Sequence, residues 1–147
     1  MDYFLSIDQG TTSTRSILFE QSGNVKLSHQ AEFKQIFPDN KSVEHDAIEI
    51  LETVKTSIRN VTKDIDVKSI KSVGITNQRE TTVAWSKSTG MPLYNAIVWQ
   101  DTRTQDICDE LVADKDLSVY FDKTGLPVAT YSVSYTHLRA HETPLHR

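Results

Sequence analysis

An α/β fold, with helices packed on a mixed sheet, is what this sequence predicts, and three observations carry the prediction. Short β-prone segments alternate with polar turns through residues 3–33. A strongly periodic helical segment then separates them from a further β-prone run at residues 70–75. A second, weaker helical stripe follows near residue 105. Strands that continue past a crossover helix require a sheet with helices on its face.

The elements follow in order. Residues 3–7 (YFLSI) and 16–19 (SILF) are apolar strands joined by the polar segment DQGTTSTR, a hairpin turn with its shoulders. The break QSGN leads into residues 25–33, with apolar side chains at 25, 27, 31 and 33, so three antiparallel strands in a row are expected. From Asp46 to about Val61, the side chains Ile48, Leu51, Val54, Ile58 and Val61 recur at i, i+3, i+4 spacing. Asp46 is placed to cap that helix, with Glu49 three residues later. Residues 70–75 (IKSVGI) read as a buried strand and 81–85 as another, with KSTG a turn into a third at 94–99. Between Thr102 and Ala113, the side chains Ile107, Leu111 and Val112 form an apolar stripe that Cys108 and the acidic residues weaken.

Composition narrows the function classes. The chain has 147 residues, net charge −4 and 37% apolar residues, thin beside the ~45–50% of typical domains. It lacks a Lys/Arg cluster, so neither nucleic acid nor an anionic membrane is an expected partner. Its longest apolar run, residues 96–99, is far short of the ~20 residues a membrane helix needs, and the start MDYFLSIDQG has no signal-peptide pattern. A single cysteine, Cys108, suits a reducing compartment, so a cytoplasmic location is expected.

Three constellations can carry chemistry. DQGTTSTR sets one carboxylate, a Gly, four consecutive hydroxyl residues and an Arg at a turn. Gly admits an anion close to the backbone, N–H groups and hydroxyls donate, Arg adds charge, and a carboxylate can hold hydrated Mg²⁺. It is not a Walker A loop, and by itself it also fits an ordinary polar turn. In GITNQRETTVAW, Arg79 and Glu80 stand at a strand exit, where together they offer the donors and acceptors a polyol requires; a solvated surface ion pair is the plainer reading. In YNAIVWQDTRT, Trp99 is either a wall for the carbons of a small ligand or core packing, and core is the better expectation for a lone Trp. The five His form no site. His137, His141 and His146 have only Glu142 to support a metal, and Cys108 has no basic activator.

Taken together with VEHD (43–46) and TGLPVATY (124–131), these segments resemble, in order and spacing, the N-terminal part of glycerol kinases, over Tyr3 to about Ser132. DQGTTSTR alone resembles the wider FGGY carbohydrate kinases; GITNQRET and NAIVWQ narrow the resemblance. It implies an actin-like ATPase (ribonuclease H-like) fold, here the incomplete first domain of a two-domain kinase, and ATP-dependent phosphorylation of glycerol to sn-glycerol 3-phosphate. By the same resemblance, Gly10, Thr11, Thr12, Ser13 and Arg15 would contact the nucleotide phosphates, and Asp8 would organise Mg²⁺ through water. Arg79 and Glu80 would bind the glycerol hydroxyls, Trp99 would pack on its carbons, and Tyr131 would add a hydrogen bond. The family's catalytic base and its adenosine-binding domain lie downstream of this chain, so the fragment alone is expected to be inactive. Oligomerisation of the full-length protein stays open. A non-catalytic phosphate- or polyol-binding fragment and another FGGY sugar kinase are the alternatives.

Departures are small at Ser42, where the family often has Trp, and at Asp101, and large at the end. Residues 133–147 (VSYTHLRAHETPLHR) have no clear period and hold three of the five His. They resemble read-through of foreign sequence and are expected to be non-native, with residues 1–132 forming the kinase domain.

Overall fold

The alternating N-terminal pattern becomes a three-stranded antiparallel meander in the computed structural model, which describes residues 1–113 and 118–131. The elements run β1 (Tyr3–Gln9), β2 (Ser13–Glu20), β3 (Val25–Glu32), β4 (Glu44–His45), α1 (Ala47–Thr62), β5 (Ile70–Thr76), β6 (Ala96–Ile97), α2 (Gln105–Val112) and α3 (Ser118–Thr124), with a single 3₁₀ turn at Val67–Ser69 before β5. The main sheet has the order β3-β2-β1-β5. β1 is antiparallel to β2 and parallel to β5, so α1 is the crossover between parallel strands. The predicted mixed sheet is therefore present.

The described residues divide into two units: Met1–Gln35, His45–Arg79 and Val83–Ala96 in the first, and Ile36–Glu44, Glu80–Thr82 and the described residues from Ile97 onward in the second. β4 and β6 each lie where one unit gives way to the other.

In the first unit α1 packs on one sheet face. Asp46 caps it as expected, its carboxylate accepting from Ile48 N at 2.8 Å and Glu49 N at 3.3 Å. Glu49 does not close a capping box; it accepts from Lys34 N at 3.1 Å instead. The core is Tyr3, Leu5, Ile7, Leu18 and Val61, with Val54, Ile58, Ile65 and Ile70 packed against it. Full burial of an aliphatic side chain such as Leu18 contributes about 1.5–3 kcal/mol.

The predicted helix stripe is only half used, since Ile48 and Leu51 are exposed. A polar seam completes the helix–sheet contact. Thr14 Oγ1 lies 3.0 Å from Thr53 Oγ1 and Ser16 Oγ lies 2.7 Å from Ser57 Oγ. Thr53 and Ser57 already donate to the carbonyls of Ile50 and Val54. A hydroxyl has one proton, so Thr14 and Ser16 are the donors across the seam.

Three expectations change. β5 is a strand, but Val73 and Ile75 are exposed, because nothing among the described residues covers that face. The strands expected at 81–85 and 94–99 shrink to the two-residue β6 and isolated bridges, Trp85 with Pro92 and Thr82 with Ile97; Pro92 has no N–H to extend a ladder. The KSTG turn does form, closed by Gly90 N donating to Ser86 O at 2.7 Å, with Gly90 at φ 71°. In α2, the buried residue is Cys108, outside the predicted stripe, while Ile107 of that stripe is exposed.

The second unit is held by charge. Arg103 donates from Nη2 to Glu44 Oε1 at 2.6 Å and from Nε to both Asp101 oxygens at 2.9 and 3.0 Å. Asp101 also accepts from Val43 N at 2.8 Å. Glu44 and Asp101 are buried. Burial pushes the Asp101 carboxyl up, but the hydrogen bonds from Arg103 and Val43 outweigh it and hold it below its ordinary value. α3, which no sequence pattern signalled, reaches α2 through Tyr120 Oη donating to Leu111 O at 3.4 Å. The tail expected at 133–147 lies outside the described residues.

Candidate functional site

The first unit carries the predicted phosphate residues at one end of its meander. The turn itself is only residues 10–12, closed by Gly10 N donating to Ser13 O at 2.9 Å. A Cβ on Gly10 would stand 3.2 Å from that same carbonyl, so the close approach favours glycine. Strand alternation then sorts the hydroxyls. Thr14 points into the α1 seam and is fully buried, so the fourth hydroxyl of the run is structural. Ser13 and Arg15 point to the opposite, open face. Asp8 is paired in register with Arg15, and Arg15 with Gln30, so all four side chains share that face.

Gln30 is a residue the sequence reading missed. Its Oε1 accepts from Arg15 Nε at 3.1 Å and Nη2 at 2.6 Å, while its Nε2 donates to Ser13 Oγ at 2.9 Å. It thereby fixes the guanidinium and leaves Ser13 Oγ its own proton to donate. Only cross-strand register reveals this, and register is not readable from β3 alone. Thr12 lies exposed at the tip, and its carbonyl is tied back by Phe33 N at 3.3 Å. Asp8 is exposed at the strand end, a hard oxygen donor of the kind that holds hydrated Mg²⁺. Arg79, also in this unit, is exposed directly after the buried Gln78.

The second unit holds Glu80, Trp99 and Tyr131. Glu80 has φ 66°, the one described non-glycine residue in the left-handed region, a conformation that costs of order 1–3 kcal/mol and clusters at binding sites. Reciprocal bonds at 2.9 Å between Thr82 and Ile97 fix the segment after Glu80 beside the segment before Trp99. Trp99 N donates to Thr81 Oγ1 at 3.4 Å. The Trp99 ring meets Tyr131 edge-on, with centroids 6.4 Å apart and planes at 88°. Trp99 is 39% exposed and Tyr131 48%, so the expectation of Trp99 as core packing fails: its ring is presented, not buried. Among the described residues neither Arg79 nor Glu80 has an ion-pair partner, so the plain surface pair is not what forms. A carboxylate can accept from hydroxyls, and presented aromatic rings can pack on C–H groups.

Other features add no competing site. A groove of about 370 Å³ between the start of α1 and residues 91–95 contains none of these side chains, and its one acid, Asp46, is occupied as the helix cap. Burial, with Asp109 alongside, raises the Cys108 thiol above its ordinary value, which keeps it protonated and unreactive. No group of three or more metal-ligating side chains occurs among the described residues, and no helix among them is long and apolar enough to cross a membrane. His137, His141 and His146 lie outside the described residues.

Comparison with known proteins identifies the family of the chain. The profile of the FGGY family of carbohydrate kinases, N-terminal domain, matches residues 3–139. The chain is 53% identical over 131 residues to a glycerol kinase of Pseudarthrobacter chlorophenolicus, covering 88% of this chain and 26% of the relative. It is 49% identical over the same length to a glycerol kinase of Malacoplasma penetrans. The chain thus spans about a quarter of the length of the curated relatives it matches. Among solved structures, Plasmodium falciparum glycerol kinase with ADP superposes with a TM-score of 0.78 at 37% identity, over 89% of this chain and 27% of that one. A ligand-bound xylulose kinase from Lactobacillus acidophilus gives 0.82 at 23% identity, over 96% of this chain and 28% of that one, which speaks to the fold alone. The chain belongs to the FGGY family of carbohydrate kinases, whose N-terminal domain it matches.

Proposed function

We propose that this chain is the N-terminal part of an ATP-dependent kinase that phosphorylates glycerol to sn-glycerol 3-phosphate. The observation that carries the reading is a left-handed Glu80 in the same unit as a presented Trp99–Tyr131 pair, in a chain about 50% identical to glycerol kinases. Arg79 and Glu80 bind the hydroxyls of glycerol, Trp99 packs on its carbons and Tyr131 adds a hydrogen bond. An analogue missing a hydroxyl leaves one of these polar groups unpaired, which is how such a site discriminates.

Gly10, Thr11, Thr12, Ser13 and Arg15 cradle the nucleotide phosphates. Asp8, exposed and paired in register with Arg15, would hold Mg²⁺ through water, and the ion would supply neutralisation of phosphate charge. In the transfer, a terminal glycerol oxygen bonds to the γ-phosphorus as the bond to the ADP oxygen breaks. The hydroxyl proton leaves to a general base. A reducing, cytoplasmic setting suits its single buried cysteine.

The test is direct. Purified 147-residue chain mixed with MgATP and glycerol should form no glycerol 3-phosphate, whereas the complete kinase polypeptide carrying this domain should form it. Product from the fragment, or none from the complete polypeptide, contradicts the reading.

A further inference from the structure

The three carbonyls of the phosphate turn are all held by protein donors. Thr12 O takes the Phe33 N–H; Gly10 O takes Gln9 Nε2 at 2.7 Å and Thr11 O takes Gln35 Nε2 at 3.2 Å. The two side-chain anchors meet at one residue. His45 is fully buried. Its Nε2 lies 2.6 Å from Gln35 Oε1, and its Nδ1 lies 3.4 Å from Gln78 Nε2, which also donates to Gln9 Oε1 at 3.4 Å. Amide oxygens only accept and amide nitrogens only donate, so this network admits one arrangement: a neutral ring, protonated on Nε2 and accepting at Nδ1.

We propose that His45 is a positioning residue, the hub of a buried amide–imidazole network that turns the carbonyls of Gly10 and Thr11 away from the phosphate face. The proposal rests on the reading of residues 10–13 as the phosphate site. A carbonyl oxygen facing a phosphate repels it, so fixing these oxygens inward is what makes the turn receptive to an anion. The Phe33 ring, edge-on to His45 with centroids 5.0 Å apart, holds the imidazole plane. Burial lowers the His45 pKa despite the opposing charge of Glu49, consistent with the neutral ring.

The experiment uses the complete kinase with His45→Ala, His45→Gln, Gln35→Ala and Gln9→Ala. It reads amide exchange of residues 10–13 without nucleotide, the ADP dissociation constant by calorimetry, and KM for glycerol. Expected are exchange and ADP dissociation constants raised about tenfold in His45→Ala and Gln35→Ala, the loss of one or two hydrogen bonds. KM for glycerol should stay within about twofold in Gln35→Ala, and His45→Gln should recover part of the loss. Loop exchange and ADP affinity unchanged in the folded variants overturn the proposal, as does a looser loop with ADP affinity retained. Should His45→Ala fail to fold, Gln35→Ala and Gln9→Ala decide by the same criteria. Wild-type kinase that binds no ADP overturns the kinase reading itself, and this inference with it.

Discussion

The two units reach order by different physics. In the first, a continuous ladder and an apolar core position the residues proposed for the phosphate, and the seam between α1 and β2 is made of neutral hydroxyl pairs. In the second, short bridges and one Arg between two buried carboxylates do that work, and the residues assigned to the polyol are a strained Glu80 and two presented rings. A regular sheet suits a loop that must offer many fixed N–H groups. A specificity surface needs side chains held out in conformations that regular structure does not provide. The contrast also divides the response to acid, since the first unit contains a buried neutral His45 and the second a buried ionised Asp101.

The largest expected effect breaks the ladder side. Leu18→Ala, at a fully buried position, should cost about 3–5 kcal/mol by urea unfolding of the complete kinase, against roughly 0.5 kcal/mol or less for Ile107→Ala on the exposed side of α2. Next, Arg103→Met strands Glu44 and Asp101 without their cation. Because Arg103 reaches solvent, the loss should be about 3 kcal/mol, the low end for a broken buried pair.

The pH dependence follows from the directions of the shifts. Asp101 lies below its ordinary 3.8 in the folded state, so its contribution is present above that pH and is lost as pH falls through the lower folded value. His45 lies below its ordinary 6.5, so above 6.5 it adds no pH dependence, and stability declines as pH falls from there toward its folded value. Chemical denaturation across pH should show His45→Gln flattening the slope just below 6.5 and Asp101→Asn flattening it below 3.8. Smallest in stability but sharpest in function, Glu80→Gly should raise stability by about 1 kcal/mol by relieving the left-handed strain. The same change should raise KM for glycerol at least tenfold through loss of a charge-assisted bond. A variant destabilised with KM unchanged would remove Glu80 from the site.

Much of this was legible in the sequence. The period of residues 3–33 and the Asp46 cap disclosed the meander and α1, because those signals are local. Residues 8–15 read as a turn, so the shared face of Asp8, Ser13 and Arg15 emerges only because β1 and β2 run through them and pair Asp8 with Arg15. What escaped depends on tertiary register. Gln30 and Gln35 acquire their roles only when β3 and the chain after it lie beside β2. Thr14 could not be told from its hydroxyl neighbours until a helix covered it. Asp101, a minor departure in the sequence, is a buried anchor because Arg103 folds back onto it. Residues 81–99 carry strand-like composition, yet Pro92 and single bridges leave little ladder there. α3 has no periodic stripe to betray it.

The central claim, a site shaped for glycerol, is tested most directly by thermal-shift titration of the complete kinase with glycerol, xylulose and gluconate in the presence of MgADP. Glycerol should stabilise it at the lowest concentration, and Glu80→Gly should abolish that response while leaving the shift by MgADP in place. A stronger response to either sugar, or a glycerol response that survives Glu80→Gly, would contradict the account.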